Sequence, residues 1–160
     1  MSELNPYAKF LDGRPLEQVL GSTASAISVL LEAMGSQKAV TPPAPGKWSP
    51  AQIVAHLADC EIAFAFRLRQ ALAEDSHVIQ PYDQDLWAAR YTDIAAADAL
   101  AAYSALRHWN LLLIAKALPI HAAKTVTHPE RGAMTFGTIV ETMAGHDLNH
   151  LAQLRHIAAS

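Results

Sequence analysis

Four long segments rich in alanine, leucine and isoleucine, separated by proline-rich or polar breaks, constrain this chain more than any other feature of its sequence. Alanine and unbranched side chains lose little rotamer entropy in a helix. The period-two alternation of Val, Thr and aromatic residues that marks strands is scarce. The spacing predicts helices over residues 15–34, 50–74 and 94–118, and from 136 almost to the C-terminus. Four helices of about 20 residues each fit an all-α fold, a four-helix bundle, as a single domain over 1–160.

Local signals place the helix ends. Pro15 suits a first helical position and Gly35 the left-handed residue after the last turn. Between them Leu16, Val19, Leu20, Ile27, Leu30 and Leu31 form an apolar stripe. The loop TPPAPGK, residues 41–47, cannot be helical and is short, so helices one and two are expected as antiparallel neighbours. Ser49 with Pro50 and Gln52 forms a capping box, and Trp48 against Ile53 a hydrophobic staple. Helix three is expected to stop before Pro119, and Thr135 to cap helix four, with Met134 against Ile139 as its staple. The connectors between helices two and three and between three and four read as irregular. At roughly 17 residues each, they are long enough to cross over the bundle or build a site.

Composition narrows the function classes. Hydrophobic residues make up 51% and charged residues 17%, which excludes global disorder. A net charge of −3 and a pI near 6.2 leave no basic surplus, so neither nucleic acid nor anionic membrane is an expected partner. Cys60 is the single cysteine, so no internal disulfide forms, which suits a reducing compartment. The start, MSELNPYAKF, lacks the layout of a secretory signal. No uninterrupted apolar run approaches the ~18 residues of a membrane span; LLLIAKAL, residues 111–118, is broken by Lys116. A cytoplasmic protein is expected. No P-loop, dinucleotide fingerprint or nucleophile elbow occurs.

Chemistry concentrates in the histidines. Of eight, His146 and His150 are spaced i, i+4 on the fourth helix, about 6 Å apart along its axis. Ile139, Met143, Gln153 and Ile157 share their face, so both imidazoles point into the apolar interior. Buried imidazoles must be satisfied, by a metal or by hydrogen bonds, and the pair alone does not choose. His56 lies on a small, apolar face of helix two with Cys60 and Ala63, and is either a third ligand or a hydrogen-bonded core histidine. Three inward imidazoles with one position left for solvent is the open pattern of a catalytic metal; one cysteine cannot furnish a thiolate-rich structural site.

These residues carry a family resemblance. Trp48-Ser49-Pro50, His56-Leu57-Ala58-Asp59, Glu61 and Arg67 resemble the first signature of the DinB/YfiT-like superfamily. The stretch from Pro81 to Trp87 and Ala105-Leu106-Arg107 resemble its middle segments. His128-Pro129-Glu130-Arg131-Gly132, Gly145-His146-Asp147 and His150-Leu151-Ala152-Gln153 resemble its closing signature. The resemblance covers residues 14–158. It implies an up-down-down-up bundle with two long crossover connections and a divalent metal, zinc or nickel, on His56, His146 and His150. It also implies a homodimer and a metal-dependent enzyme acting on a small-molecule substrate. That enzyme would be a thiol S-transferase using a low-molecular-weight thiol, or a hydrolase, with the metal at one end of the bundle. The alternative is a non-catalytic metal- or small-ligand-binding stress-response bundle, and a third reading is a metal-free interaction bundle.

Other residues are candidates for the substrate pocket. Asp59 either orients His56 or touches substrate, and Arg67 either anchors an anion or pairs with an internal carboxylate. Trp87, Arg90 and Tyr91 lie where a lid or pocket wall would sit. Cys60 reads as a small buried filler beside the ligand face, His121 and His128 as surface residues, and Glu141 as too far from the His146 face to act as a base.

Overall fold

The computed structural model describes residues 4–160. A single 3-10 turn, Ala8–Phe10, precedes α1 (Leu16–Val40) and α2 (Pro50–Ala73). A short α3 (Gln84–Ala88), then α4 (Ala96–His121), a hairpin of β1 (Thr125–His128) and β2 (Gly132–Thr135), and α5 (Phe136–Ala159) follow. The four long helices form the expected bundle. Contacts along their lengths give the directions. Glu61 of α2 meets Arg107 of α4 while Leu72 meets Lys124, so α2 and α4 run in parallel. Near their ends, Lys38 of α1 donates to the Ala158 carbonyl of α5, and these two also run together. The order is up-down-down-up.

The expected neighbours change. α1 packs chiefly on α4 and α5, and α2 on the same two helices, so α1 and α2 lie diagonally. The proline-rich loop permits this because an extended chain gains about 3.3 Å per residue, more than enough for a diagonal of about 14 Å.

Local chemistry accounts for the helix ends. Gln52 N–H donates to Ser49 Oγ, and Ser49 N–H to Gln52 Oε1, closing the capping box. Thr135 Oγ1 accepts from Thr138 N–H. Gly35 sits at φ 73°, a conformation that disfavours side chains, but the chain resumes its helix there and reaches Val40. Pro119 lies inside the last turn of α4, two residues before its end. It forfeits the amide donor that would pair with the Ala115 carbonyl, and the exposure of Ala115 leaves that carbonyl to solvent.

The second long connector contains strands where irregular chain was expected. β1 and β2 pair antiparallel from Thr125↔Thr135 to His128↔Gly132, and Gly132 turns at φ 85°. Residues of the first connector add to this ribbon: Ile79 N–H donates to Thr127 O, and Thr127 N–H to His77 O. The two connectors are thereby tied to each other.

α1 is long enough, with a mean hydropathy of 1.3 over 18 residues, to cross a bilayer by length and composition alone. Here its stripe of Val19, Leu20 and Ile27 is buried inside the bundle.

A polar layer divides the core. One apolar cluster holds Phe64, Leu68, Ile114 and Met143; the other holds Ile53, Val54, Tyr103 and Leu154. Between them Arg107, 3% exposed, donates to Glu61 at 2.7 Å, to both oxygens of Asp147 and to the Leu20 carbonyl. Asn110 donates to Glu61 at 2.9 Å, and Tyr103 to Asp147 at 3.1 Å. Burial opposes the charge on Arg107, but Asp147 and Glu61 hold its pKa well above the ordinary value. Arg107→Leu would strand two carboxylates in the core and should cost about 3–5 kcal/mol in urea unfolding. Adding Glu61→Gln and Asp147→Asn to that variant should recover part of the loss.

Candidate metal centre

Three imidazoles converge between α2 and α5. The Nε2 atoms of His56 and His146 lie 3.1 Å apart, and those of His146 and His150 3.0 Å apart. The candidate ligand atoms of all three lie within 4.8 Å of one another, and the residues are 3%, 4% and 6% exposed. His146 and His150 are the eleventh and fifteenth residues of the 24-residue α5, so the cluster sits at mid-bundle rather than at one end. The connectors pack against the flank of the bundle there and supply the walls.

Hydrogen bonding among the rings serves this arrangement poorly. Gln153 Oε1 lies 2.9 Å from His150 Nδ1, so Nδ1 carries the proton and Nε2 of His150 presents a lone pair. His146 Nε2 faces both other Nε2 atoms and has either one proton or one lone pair in its plane. A proton there reaches both neighbours only as one bent, shared hydrogen bond, and a lone pair there faces the lone pair of His150. A cation on three lone pairs suits the convergence better, and three neutral imidazoles suit a borderline transition metal.

Burial keeps the rings neutral. It pushes His56 down to about 4, with His150 adding to the effect. His146 is held well below its ordinary value by burial, then by His150, His56 and Arg107. His150 is lowered by burial, against the opposing pull of Gln153 and Asp147. Trp48 packs 4.9 Å from the His56 ring, and Tyr7 meets His146 edge-on at 5.0 Å.

The family model described as the DinB superfamily matches residues 20–154. The chain belongs to this superfamily. A protein of Oceanobacillus iheyensis named "Putative metal-dependent hydrolase" is 32% identical over 110 residues. That match covers 68% of this chain and 64% of the relative, less than two thirds of its length. YfiT of Bacillus subtilis, named in the same words, is 30% identical over 100 residues, 60% of this chain and 56% of that protein. The solved structure of YfiT is described as "a probable metal-dependent hydrolase with an unusual four-helix bundle topology". It matches with a TM-score of 0.81 at 23% identity, covering 90% of this chain and 84% of that one, which establishes the shared fold.

In this DinB-superfamily chain a cavity of about 220 Å³ opens beside His146. Besides α2 and α5, its walls come from three places: Tyr7 near the N-terminus, Tyr82 and Gln84 of the first connector, and His128 and Arg131 of the hairpin. Of the sequence candidates, Arg67 lines it. Trp87 stacks behind Tyr82, with ring centroids 4.6 Å apart. Asp59 accepts a 2.6 Å hydrogen bond from the Tyr91 hydroxyl, and Tyr91 is buried against Trp48, which pins the connector to α2. Arg90 is exposed and does not reach the cavity lining. The internal carboxylate partner considered for Arg67 belongs instead to Arg107.

One further expectation changes. His128 is buried rather than at the surface, because the hairpin folds over the site; His121 is exposed. Cys60 is buried with its sulfur 3.5 Å from His56 Nε2 and 3.0 Å from the Tyr82 hydroxyl, and burial pushes its thiol up to about 12. Tyr7 carries no sequence signal as a site residue; its place depends on Gly145, where a Cβ would stand 2.6 Å from the Tyr7 carbonyl oxygen.

The lowered pKa values set a pH dependence for the chelator-stripped protein. Unfolded histidines titrate near 6.5, whereas folded His56 titrates near 4. Between those values the unfolded chain binds more protons, so stability falls as pH drops from 6.5 towards 4 and is indifferent to these groups above 6.5. The slope should approach about 1.4 kcal/mol per pH unit for each histidine. Urea midpoints across this range should show it, and His56→Asn should flatten it.

Proposed function

We propose that this chain is a metal-dependent enzyme in which His56, His146 and His150 hold a divalent transition metal, zinc or nickel. The adjoining cavity takes a small-molecule substrate, for hydrolysis or for transfer to a low-molecular-weight thiol. The observation that carries this reading is the buried convergence of three Nε2 atoms, with His146 also forming a wall of the cavity. The names of the relatives support the hydrolytic half, and the superfamily resemblance suggests the thiol half. What such an ion supplies when bound is Lewis acidity that lowers the pKa of a water or thiol beside it.

The protein's own residues prepare that position. Gln153 fixes the tautomer of His150, the kind of outer contact that orients a ligand and raises its basicity. Tyr7 and Tyr82 stay protonated because burial and neighbouring groups raise their pKa values, so their hydroxyls are available as donors in the cavity. His128 accepts the Glu130 N–H at Nδ1, which leaves its own proton on Nε2. Burial, then Arg131 and Arg67, keeps that ring neutral. A polar-lined cavity at the histidines favours turnover over mere storage, since a storage site needs no room for substrate.

Elemental analysis of untagged protein is expected to find about one metal per chain, lost in His150→Ala. Bound metal should raise the melting temperature, and chelator should reverse the rise. Gln153→Leu should keep the stoichiometry but weaken metal affinity by about 10- to 100-fold. No metal in the wild-type chain after incubation with zinc or nickel would sink the proposal. Metal-dependent turnover in ester, amide and thiol-transfer assays would then assign the reaction.

A further inference from the structure

The cavity beside His146 is lined by two arginines, Arg67 of α2 and Arg131 in the turn between β1 and β2. Neither has a carboxylate partner among the described ion pairs, unlike Arg14 and Arg107. Arg67 is half-buried. Its guanidinium lies over the rings of Tyr82 and Phe64, 5.5 and 5.9 Å from their centroids. Its hydrogen bond to the Gln80 carbonyl is long, at 3.4 Å. The guanidinium is thus held against two aromatic rings, while the Gln80 carbonyl is its one hydrogen-bond acceptor among the described residues. Burial depresses the Arg67 pKa, Tyr82 and Cys60 oppose that, and the charge of Arg131 adds to it, so the two cations stand within electrostatic reach of each other. Arg131 also acts on Tyr7 and His128 across the same volume.

Two partly desolvated like charges are costly unless an anion joins them. Among the described residues the only carboxylate in the cavity lining is Glu130, so the formal balance of these three groups is one net positive charge, which suits a monoanion. Guanidinium forks match the planar carboxylate in particular. We propose that Arg67 and Arg131 form a subsite for a carboxylate on the substrate, so that the enzyme takes small carboxylic acids whose reacting end lies towards His146. The inference rests on the metal-centre reading for the reaction, but the arginine subsite itself does not require the ion.

The test uses cobalt-loaded protein and the absorption band of a thiolate bound to cobalt, with two probes of equal length, 3-mercaptopropionate and the neutral 3-mercapto-1-propanol. The carboxylate thiol should bind at least about tenfold more tightly than the alcohol. Arg67→Gln and Arg131→Gln should each remove most of that preference while leaving the affinity for the alcohol unchanged, and Arg67→Lys should retain part of it. The unchanged alcohol affinity also shows that the variants are folded.

The metal-free chain separates the two readings. Propionate should raise its melting temperature above a sodium chloride control of equal ionic strength, and should do so less in Arg67→Gln. Equal binding of the two thiols, or a preference indifferent to both arginine variants, would overturn the carboxylate subsite. Absence of any propionate effect on the metal-free chain would overturn it as well. Failure of cobalt to bind while the propionate effect persists would overturn the metal-centre reading alone.

Discussion

Arg107 is the group on which the rest of this structure depends. From α4 it reaches the backbone of α1, Glu61 of α2 and Asp147 of α5, so one buried guanidinium joins all four long helices. Such a layer is weak evidence of net stability, because an apolar core of the same volume is often as stable. Its contribution is register. An Arg fork whose two terminal nitrogens make four hydrogen bonds, with two carboxylates and an amide around them, can form in few alignments of four helices. Asp147 adjoins His146 in the chain, and Glu61 lies five residues after His56. The layer therefore sets the height at which the two histidine-bearing helices meet.

The candidate metal centre follows from that register. α5 places His146 and His150 on one face, α2 brings His56 against them, and burial of all three keeps the rings in the form that binds metals. Segments outside the bundle complete the site. The N-terminal turn crosses α5 at Gly145 and lays Tyr7 on His146, while the bridged connectors supply Tyr82, His128 and Arg131. The part of the cavity wall outside α2 and α5 is thus made by chain that carries little regular structure and is held in place by short backbone pairings.

Much of the helical framework was legible because its signals are local. Ser49, Pro50 and Gln52 mark one helix start and Thr135 another, and each cap operates within four residues. The i, i+4 spacing of His146 and His150 was equally readable, since helical periodicity alone puts them on one face. The hairpin was not legible: each strand is only four residues long, too short for a period-two signal, and its outer edge is held by residues 77–79, nearly 50 positions away. Arg67 and Arg107 present the same side chain to a sequence reader, yet one stacks on aromatic rings in the cavity and the other is locked in the core.

By itself, then, the amino-acid order determined the number of the long helices, where they start and the histidines that share a face, because these follow from interactions within a turn or two of the chain. Only the tertiary structure decided which helices are neighbours, where along the bundle the histidines meet, and which arginine is locked between core carboxylates and which lines the cavity. Those outcomes depend on burial and on partners distant in sequence, where the free energy of a charged or polar group is set by what surrounds it rather than by what it is.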